Sequence, residues 1–387
     1  MQIVIIGSGV AGVSFAERYR ALSPDDEITV VTREHDGYYS RPLLSRGFTK
    51  ADIEQSIILK PFDKLRENNI NVLCGVEVTA INRVDKSIAI NSSWSPRFPT
   101  DCDTSAVPDS RQKKALQYDK LIIAQGSAAF IPPPFRPYEK LFFCLNSLVD
   151  LKALRKFRQD FLNKNQRPSW AIVGGGLIGC EVASDLAVAG DDVTLFHAMD
   201  RLMERQLVAE DSALLLKVLQ DSGVKVLLNQ AVQEFIKEDD CMDAGGRATQ
   251  GAVAEDKVCV RTEVTAEFDG LLVACGFKPR TELAELAGLE TGRGIKVNQY
   301  LQTSDESIYA LGDVAELPNG KLYAFILPIR NQALWLAEFL AGQKQGRIGS
   351  LPIATLPPSM AVDGWTPPVF TTKAKVHGFE AVHPYNV

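Results

Sequence analysis

The sequence predicts an α/β protein in which one chain forms two similar units, each built on a parallel β-sheet. Three observations support this fold class. An apolar, β-branched strand, a glycine-rich turn and a helix open the chain. The same order of elements returns at Trp170, and each unit continues into a second strand, Ile28 to Val31 and Asp192 to Phe196. Strands that alternate with helices in this way are typical of parallel sheets with crossover helices.

The first unit begins with a fingerprint for binding a dinucleotide. Gly7, Gly9 and Gly12 follow the predicted strand Gln2 to Ile6 at the spacing G-x-G-x-x-G, before a helical pattern from Val13 to Leu22. The first glycine permits the tight turn, the second lets a pyrophosphate approach the backbone, and the third lets helix and strand pack closely. The helix N-terminus then directs free N–H groups at the phosphates.

An acidic residue completes this fingerprint. Glu34 lies 22 residues beyond Gly12, at the tip of the second strand, where a carboxylate accepts hydrogen bonds from both ribose hydroxyls. Glycines at this spacing also serve ordinary packing turns. Because strand, helix and acid all stand where a Rossmann unit requires them, the pattern predicts a dinucleotide site.

The second unit repeats the fingerprint. Gly174, Gly176 and Gly179 follow the strand Trp170 to Val173, and a helical pattern runs from Cys180 to Ala189. Two fingerprints in one chain indicate two bound dinucleotides, and therefore electron transfer between them.

The second fingerprint does not end in an acid. At the position where we expect it, this chain has His197, with Arg201 and Arg205 nearby. A carboxylate there would favour NAD, whereas a histidine flanked by arginines tolerates or attracts a 2′-phosphate. Gly179, in contrast, is the more usual choice in NAD sites. These signals conflict, so the expected nucleotide is NAD(P)H, with a slight preference for NADPH.

Composition limits the classes of partner. The chain has 387 residues, 45% of them hydrophobic and 23% charged, which predicts a globular protein of two or three domains. A net charge of −6 argues against a nucleic-acid partner. No apolar run approaches the roughly 20 residues of a membrane span. The first strand begins at residue 2, which leaves no room for a signal peptide, so we expect a cytoplasmic protein.

The cysteines show no pattern of a metal site or a redox pair. There are seven, without a C-x-x-C pair or zinc-type spacing. We therefore expect no metal, and thiols that are reduced and mostly buried.

Two further strands indicate where the chain passes between domains. Tyr118 to Ser127 and Phe268 to Pro279 are both apolar runs that end in a small residue and a glycine. Long polar stretches, Ser92 to Gln117 and Cys241 to Asp256, read as surface hairpin loops. The pattern predicts one domain interrupted by another, with the first at 1–130 and 264–343, the second at 131–263, and a short C-terminal segment, α+β or irregular, at 344–387.

In combination, these motifs resemble the FAD-dependent pyridine nucleotide oxidoreductases of the rubredoxin and ferredoxin reductase type. The resemblance extends from Met1 to Gly342. It rests on the motifs Gly7 to Gly12, Tyr118 to Ser127, Gly174 to Glu181, Gly276 to Thr281 and Tyr309 to Asp313. It implies two dinucleotide-binding domains, FAD as the resident cofactor, and NAD(P)H as the electron donor.

The resemblance also implies the cofactor contacts. Arg41 and Pro42 match a cation and proline that lie against the isoalloxazine, and Glu181 matches an acid that pairs with the cation near flavin N5. A buried Arg41–Glu181 pair would hold a positive charge beside the hydride acceptor; the alternative is a purely structural ion pair. For FAD the other implied contacts are Gly7, Gly9, Gly12, Glu34, Val78, Ala124, Gly126, Gly276, Asp313, Pro328 and Ile329, and for NAD(P)H they are Gly174, Gly176, Ile178, Gly179 and His197.

For two of these contacts a specific interaction with the flavin is expected. Asp313 is suited to bind the flavin ribityl chain, although an Asx turn would explain it equally. The helix predicted from Pro328 to Leu340 would direct its N-terminal amides at the flavin pyrimidine ring. Gln125 departs from the family by replacing the usual threonine of the Ala-Thr-Gly turn.

The resemblance implies hydride transfer from NAD(P)H to FAD and onward electron transfer to a second acceptor. Residues 1–73 contain no cysteine, so a redox cysteine beside the flavin is not expected. A small acidic rubredoxin-like carrier is the expected acceptor, with Arg33, Arg41, Arg46 and Lys50 as candidate contacts. A quinone, a small molecule of a specialised pathway, and a redox-responsive binding role remain alternatives.

The C-terminal segment is the main departure from the family. The family carries a longer C-terminal domain, whereas Gln343 to Val387 is short and proline-rich here. An interface lid, a dimer arm and a substrate cover are each compatible with it, so the chain is expected to be a monomer or a homodimer.

Overall fold

The first unit is organised around a five-stranded parallel sheet. The computed structural model describes residues 1–91, 114–237, 258–262, 265–346 and 364–384. The β-branched run Gln2–Ile6 is the central strand, because four of its five side chains are buried between the helices on the two faces. Across the sheet the strands are ordered Ile308–Ala310, Lys120–Ile123, Gln2–Ile6, Glu27–Val31 and Asn71–Leu73.

The second unit repeats this arrangement with four parallel strands. Their order is Lys225–Leu227, Asp192–Phe196, Ser169–Val173 and Gly270–Val273. The matching registers, Ile6 opposite Val31 and Val173 opposite Phe196, make the two glycine loops equivalent. The predicted α/β class with two Rossmann-like units is confirmed.

The predicted boundary at residue 264 is wrong. Gly270–Val273 pairs with Ser169–Val173 and therefore belongs to the second sheet. The similarity to Tyr118–Ser127 arises because each run supplies the strand beside the central strand of its own sheet. The chain instead passes between the units at an antiparallel ribbon of Ser127–Ala129 and Phe277–Pro279.

Helix ends follow local capping. The helix Leu148–Asn163 has the predicted bounds, because Ser147 and Asp150 form a capping box. Val10–Leu22 and Leu177–Val188 each begin three residues earlier than expected. Gly9 and Gly176 are their N-caps, so the third glycine of each fingerprint already lies inside the helix. The other α-helices are Ile53–Ser56, Phe62–Glu67, Ala209–Asp221, Glu282–Leu286 and Ile326–Lys344, and 3₁₀ turns span Arg41–Arg46, Pro133–Tyr138 and Gly312–Val314.

Smaller sheets lie beside the two main sheets, and the strands that flank both predicted hairpin loops pair antiparallel. The predicted loop 241–256, and the predicted loop 92–117 up to residue 113, lie outside the described residues. The small sheets are Glu77–Asn82 with Ser87–Asn91 and Lys114–Gln117, Glu234–Lys237 with Val258–Arg261 and Thr265–Phe268, Tyr38–Tyr39 with Ile58–Lys60, and the parallel pair Ile295–Lys296 and Ala315–Glu316.

The C-terminal segment packs against both units. Trp365 donates a hydrogen bond from Nε1 to Asn331 Oδ1 at 2.7 Å, and its ring contacts Tyr323 in the first unit. The strands Thr371–Val376 and Phe379–Pro384, which we call the C-terminal hairpin, pack against the core of the second unit. In the part of the chain that the structure describes, no helix is both long and apolar enough to cross a membrane.

Candidate functional site

The first glycine loop is fixed by backbone contacts that exclude side chains. Gly7 has a φ of +111°, and a Cβ there would lie 2.3 Å from the carbonyl oxygen of Ala124. A Cβ on Gly12 would lie 2.0 Å from the carbonyl oxygen of Gly7. Gly9 differs, because a Cβ there would meet no atom of the described residues within 4 Å. Two glycines therefore close the turn, and the middle one leaves space for a ligand.

The second loop repeats this geometry position by position. Gly174 has a φ of +115°, and a Cβ there would lie 2.3 Å from the carbonyl oxygen of Ala274. A Cβ on Gly179 would lie 1.9 Å from the carbonyl oxygen of Gly174, and one on Gly176 would meet nothing within 4 Å in the described part of the chain. Both loops therefore have the packing that a dinucleotide pyrophosphate requires.

A pocket opens at the carboxyl edge of the first sheet, above the first glycine loop. Of the residues expected to contact FAD, eight line it: Gly7, Gly9, Glu34, Arg41, Val78, Ala124, Gly126 and Asp313. Gly12 is buried behind the loop, where it packs the helix onto the strand. Pro42, Gly276, Pro328 and Ile329 are not among the lining residues.

Several lining residues were not predicted as cofactor contacts. Ser127 and Arg280 fall within motifs that the sequence analysis identified, so motif membership was an available signal. No sequence signal indicated Asn146, because the chain must first cross between the two units to bring this residue to the pocket. The other unpredicted lining residues are Ile6, Ser8, Val31, Thr32, Arg33, Val76 and Gln125.

Glu34 and Arg41 meet inside the pocket. Glu34 Oε1 accepts hydrogen bonds from Tyr39 Oη at 2.8 Å and from Arg41 Nη2 at 2.7 Å. Arg41 also donates to the carbonyl oxygen of Asn146. The predicted pairing of Arg41 with Glu181 is therefore replaced by a pairing with Glu34, because the 3₁₀ turn that begins at Arg41 directs its side chain toward the first glycine loop.

Glu181 has a different partner. Ser45 Oγ donates a hydrogen bond to Glu181 Oε2 at 2.5 Å. Burial raises the pKa of Glu181 from 4.5 to about 7, against the lowering effects of the Ser45 hydrogen bond and the charge of Arg46. Glu181 is therefore a carboxyl group, placed between the two units, that gains or loses a proton near neutral pH.

Asp313 also lines the pocket. Burial raises its pKa, while the hydrogen bond from Ser127 Oγ, at 2.8 Å, and the charge of Arg41 lower it. The preceding Gly312 has a φ of +80°, and a Cβ there would lie 3.5 Å from Ile329 Cγ2. The start of the helix Ile326–Lys344 thus lies beside the turn that carries Asp313.

The polar groups of the pocket fit a dinucleotide. Gln125 lines the pocket, and its Oε1 is buried without a hydrogen-bond partner among the residues that the structure describes. An unpartnered buried acceptor costs free energy unless a ligand donor reaches it. Together with the open space at Gly9 and the carboxylates of Glu34 and Asp313, it provides acceptors for ribose or ribityl hydroxyl groups and a backbone surface for phosphate.

His197 is not positioned as Glu34 is. The strand registers align His197 with Thr32, so Met199 is the residue that corresponds to Glu34. His197 Nδ1 accepts a hydrogen bond from the backbone N–H of Gly175 at 3.0 Å, and the side chain is nearly buried. It supports the second glycine loop, as the Ser8–Thr32 hydroxyl contact of 2.8 Å does in the first unit.

The described cysteines are not pocket residues. Cys74, Cys144, Cys180 and Cys275 are free thiols. Cys259 is disulfide-bonded, so the expectation of reduced thiols is wrong at this position. Among the residues that the structure describes, none of the cysteines lines the pocket.

Comparisons with known proteins agree with this geometry. Residues 1–346 match the family model described as pyridine nucleotide-disulphide oxidoreductase. The chain is 31% identical over 362 residues to the rubredoxin-NAD(+) reductase of Alcanivorax borkumensis, covering 93% of this chain and 84% of that protein. It is 32% identical over 366 residues to the nitric oxide reductase FlRd-NAD(+) reductase of Salmonella heidelberg, covering 94% and 83%.

A solved structure supports the fold independently. Putidaredoxin reductase, in its covalent complex with putidaredoxin, superposes with a TM-score of 0.73 at 24% identity, covering 97% of this chain and 79% of that one. The duplicated glycine loops, the pocket and the family match lead to one conclusion. The chain belongs to the pyridine nucleotide-disulphide oxidoreductase family.

Proposed function

We propose that this protein takes electrons from NAD(P)H and delivers them to a small rubredoxin-like redox protein. The observation that carries the proposal is the duplication of a dinucleotide loop, position by position, within one chain. FAD and NAD(P)H are the cofactors of this family. When bound, FAD supplies the chemistry of accepting a hydride and releasing electrons singly.

The role of the chain's own residues is to bind the dinucleotide and to orient it. Gly7 and Gly9 present backbone to the pyrophosphate, and Glu34 and Asp313 offer carboxylate oxygens to hydroxyl groups. Arg41 contributes a fixed positive charge within the pocket. In the described part of the chain no thiol lines this pocket, which favours an acceptor outside the chain over an internal disulfide.

The acceptor we propose is small and acidic. Lys50 is exposed, and Arg46 lies beside the C-terminal hairpin, with its Nη2 3.5 Å from the carbonyl oxygen of Lys375. The side chains of Lys373 and Lys375 are 62% and 55% exposed. Basic groups of this kind attract an acidic carrier, and salt screens that attraction.

Anaerobic stopped-flow absorbance tests the proposal. The FAD-loaded protein is mixed with NADH or NADPH and then with oxidised rubredoxin. We expect rapid loss of the oxidised flavin absorbance with a nucleotide, and recovery of that absorbance when rubredoxin is added. The recovery rate should fall with added salt. Flavin that stays reduced in the presence of rubredoxin would contradict the proposed acceptor and direct the search to small molecules.

A pair of charge reversals tests the docking face. Lys50→Glu should slow the recovery with rubredoxin several-fold at low salt, because it places a negative charge against an acidic partner. Lys64→Glu is the control, since Lys64 is exposed on the separate helix Phe62–Glu67. If Lys50→Glu and Lys64→Glu slowed the recovery equally, the rate would depend on the net charge of the protein and not on a docking face at Lys50.

A further inference from the structure

The second glycine loop lacks a carboxylate at the position that Glu34 occupies in the first. The corresponding residue is Met199, whose side chain is 48% exposed and carries no hydrogen-bonding oxygen. If the second site is to bind the two hydroxyl groups of an adenosine ribose, another residue must supply the acceptor.

His197 positions such an acceptor, the carboxylate of Glu204. Because the N–H of Gly175 donates to Nδ1, the ring carries its proton on Nε2. That nitrogen lies 3.0 Å from the carbonyl oxygen of Arg201 and 3.3 Å from Glu204 Oε2. The imidazole therefore connects the glycine loop on one side to the Glu204 carboxylate on the other.

The backbone brings the same segment to the loop. Met203 donates its N–H to the carbonyl oxygen of Gly175 at 2.9 Å. A Cβ on Gly175 would lie 2.7 Å from Leu202 Cδ2, which shows how closely the segment packs. Glu204 follows directly, with its side chain 23% exposed. Its carboxylate is thus held beside the phosphate loop and remains accessible to a ligand.

The two nearby guanidinium groups already have partners within the same segment. The guanidinium of Arg201 donates to the carbonyl oxygens of Leu207 at 2.7 Å and Glu204 at 2.9 Å. Arg205 is 86% exposed, and its Nε lies 3.5 Å from Glu204 Oε1. A 2′-phosphate beside Glu204 would therefore face a carboxylate, and the Arg205 guanidinium would have to leave that carboxylate to neutralise the phosphate.

We propose that Glu204 is the residue that selects NADH over NADPH, by accepting hydrogen bonds from the adenosine ribose and repelling a 2′-phosphate. This inference rests on the proposed function, whose second site it completes. It also reverses the slight preference for NADPH that the presence of His197, Arg201 and Arg205 had suggested.

Equilibrium binding tests the inference without turnover. Isothermal titration calorimetry is performed with NAD⁺ and NADP⁺ on the oxidised, FAD-loaded protein. We expect the wild type to bind NAD⁺ about tenfold or more tightly than NADP⁺, since a charge-assisted hydrogen bond and a like-charge repulsion both act on the difference. Glu204→Gln should reduce that ratio several-fold, and Glu204→Asp should largely retain it.

Asp200 provides the matched control. It is an exposed carboxylate four residues away in the same segment. Asp200→Asn should leave the affinity ratio unchanged. Circular dichroism and thermal unfolding of each variant show whether it still folds. If Glu204→Gln does not fold, the affinity ratio of Glu204→Asp shows whether a negative charge at this position is what selects the nucleotide.

Two results would overturn the inference: a wild type that binds NADP⁺ as tightly as NAD⁺, or a ratio that follows Asp200→Asn instead of Glu204→Gln. Failure of the proposed function is a separate observation, namely that neither NADH nor NADPH reduces the flavin. If the protein binds NAD⁺ selectively but neither NADH nor NADPH reduces the flavin, the role of Glu204 would stand and the proposed reductase function would be rejected.

Discussion

Three carboxyl groups of the same chemical type, two that line the pocket and one between the two units, have different environments. Glu34 is held by Tyr39 and Arg41, Asp313 by Ser127, and Glu181 by Ser45. Burial raises the pKa of Asp313 and raises the pKa of Glu181 to about 7. These differences depend on tertiary contacts, and they give each residue a distinct experimental signature.

Glu181→Gln should change how stability depends on pH. The folded-state pKa of about 7 lies above the ordinary value of 4.5, so the protonated carboxyl stabilises the fold at low pH. This contribution is complete below pH 4.5 and is lost as the pH rises through 7. Replacement by glutamine removes this pH-dependent loss of stability. Converting the pKa difference to a free energy of unfolding gives roughly 3 kcal/mol for it. Thermal unfolding between pH 4 and 8 measures it.

Ser45→Ala is the companion variant. The Ser45 hydroxyl hydrogen bond lowers the pKa of Glu181, so its removal should move the loss of stability to higher pH. Parallel stability curves for the wild type and Glu181→Gln across this range would show that Glu181 does not titrate as the structure indicates.

Asp313→Ala should weaken FAD binding by about tenfold or more, because a charge-assisted hydrogen bond to a hydroxyl group contributes on that scale. Flavin fluorescence during dialysis measures the dissociation. Asp63→Asn is the control, since Asp63 is 83% exposed on a surface helix. Equal retention of FAD in both variants would favour the Asx-turn interpretation of Asp313.

At the scale of elements, the two strand–loop–helix units were predictable because their requirements are local. Glycine spacing, a β-branched strand and the capping box at Ser147 each act within a few residues. The helix Leu148–Asn163 was therefore located correctly. The strand Gly270–Val273 was assigned to the wrong sheet, because apolar sequence shows that a strand is buried but not which neighbour it pairs with.

Alanine substitutions should separate packing glycines from the ligand-facing glycine. Gly12→Ala places a Cβ 2.0 Å from a backbone oxygen, so it should destabilise the fold by about 2–3 kcal/mol. The new Cβ of Gly9→Ala would meet no atom within 4 Å among the described ranges, so this variant should fold normally but bind less FAD. Chemical unfolding and the FAD-to-protein ratio measure the two effects. A stable Gly12→Ala protein with full FAD content would contradict the assignment.

At the scale of the whole molecule, one buried carboxylate joins three parts of the chain. Asp185, in the helix Leu177–Val188, accepts hydrogen bonds from the Phe48 N–H at 2.7 Å and the Thr49 hydroxyl at 2.6 Å. His377 of the C-terminal hairpin lies with Nε2 2.9 Å from Asp185 Oδ1. The first unit, the second unit and the C-terminal hairpin therefore share one acceptor.

Asp185→Ala should destabilise the protein by about 3 kcal/mol, because it leaves buried donors without a partner. The urea midpoint measures the change. Asp192→Ala is the control, since that aspartate is exposed at the start of its strand. An unchanged midpoint for Asp185→Ala would show that the junction does not depend on this group.

The sequence by itself determined the fold class, the two glycine loops, Glu34 and the family, because each rests on spacing within a short segment. Only the tertiary structure decided the partners of side chains that meet across the chain. Arg41 binds Glu34 and not Glu181, His197 supports a loop, and Glu204 lies beside His197 at the second glycine loop. The physical reason is that hydrogen bonding and burial depend on distance in space, and residues far apart in sequence acquire that proximity only when the sheets and the C-terminal hairpin assemble.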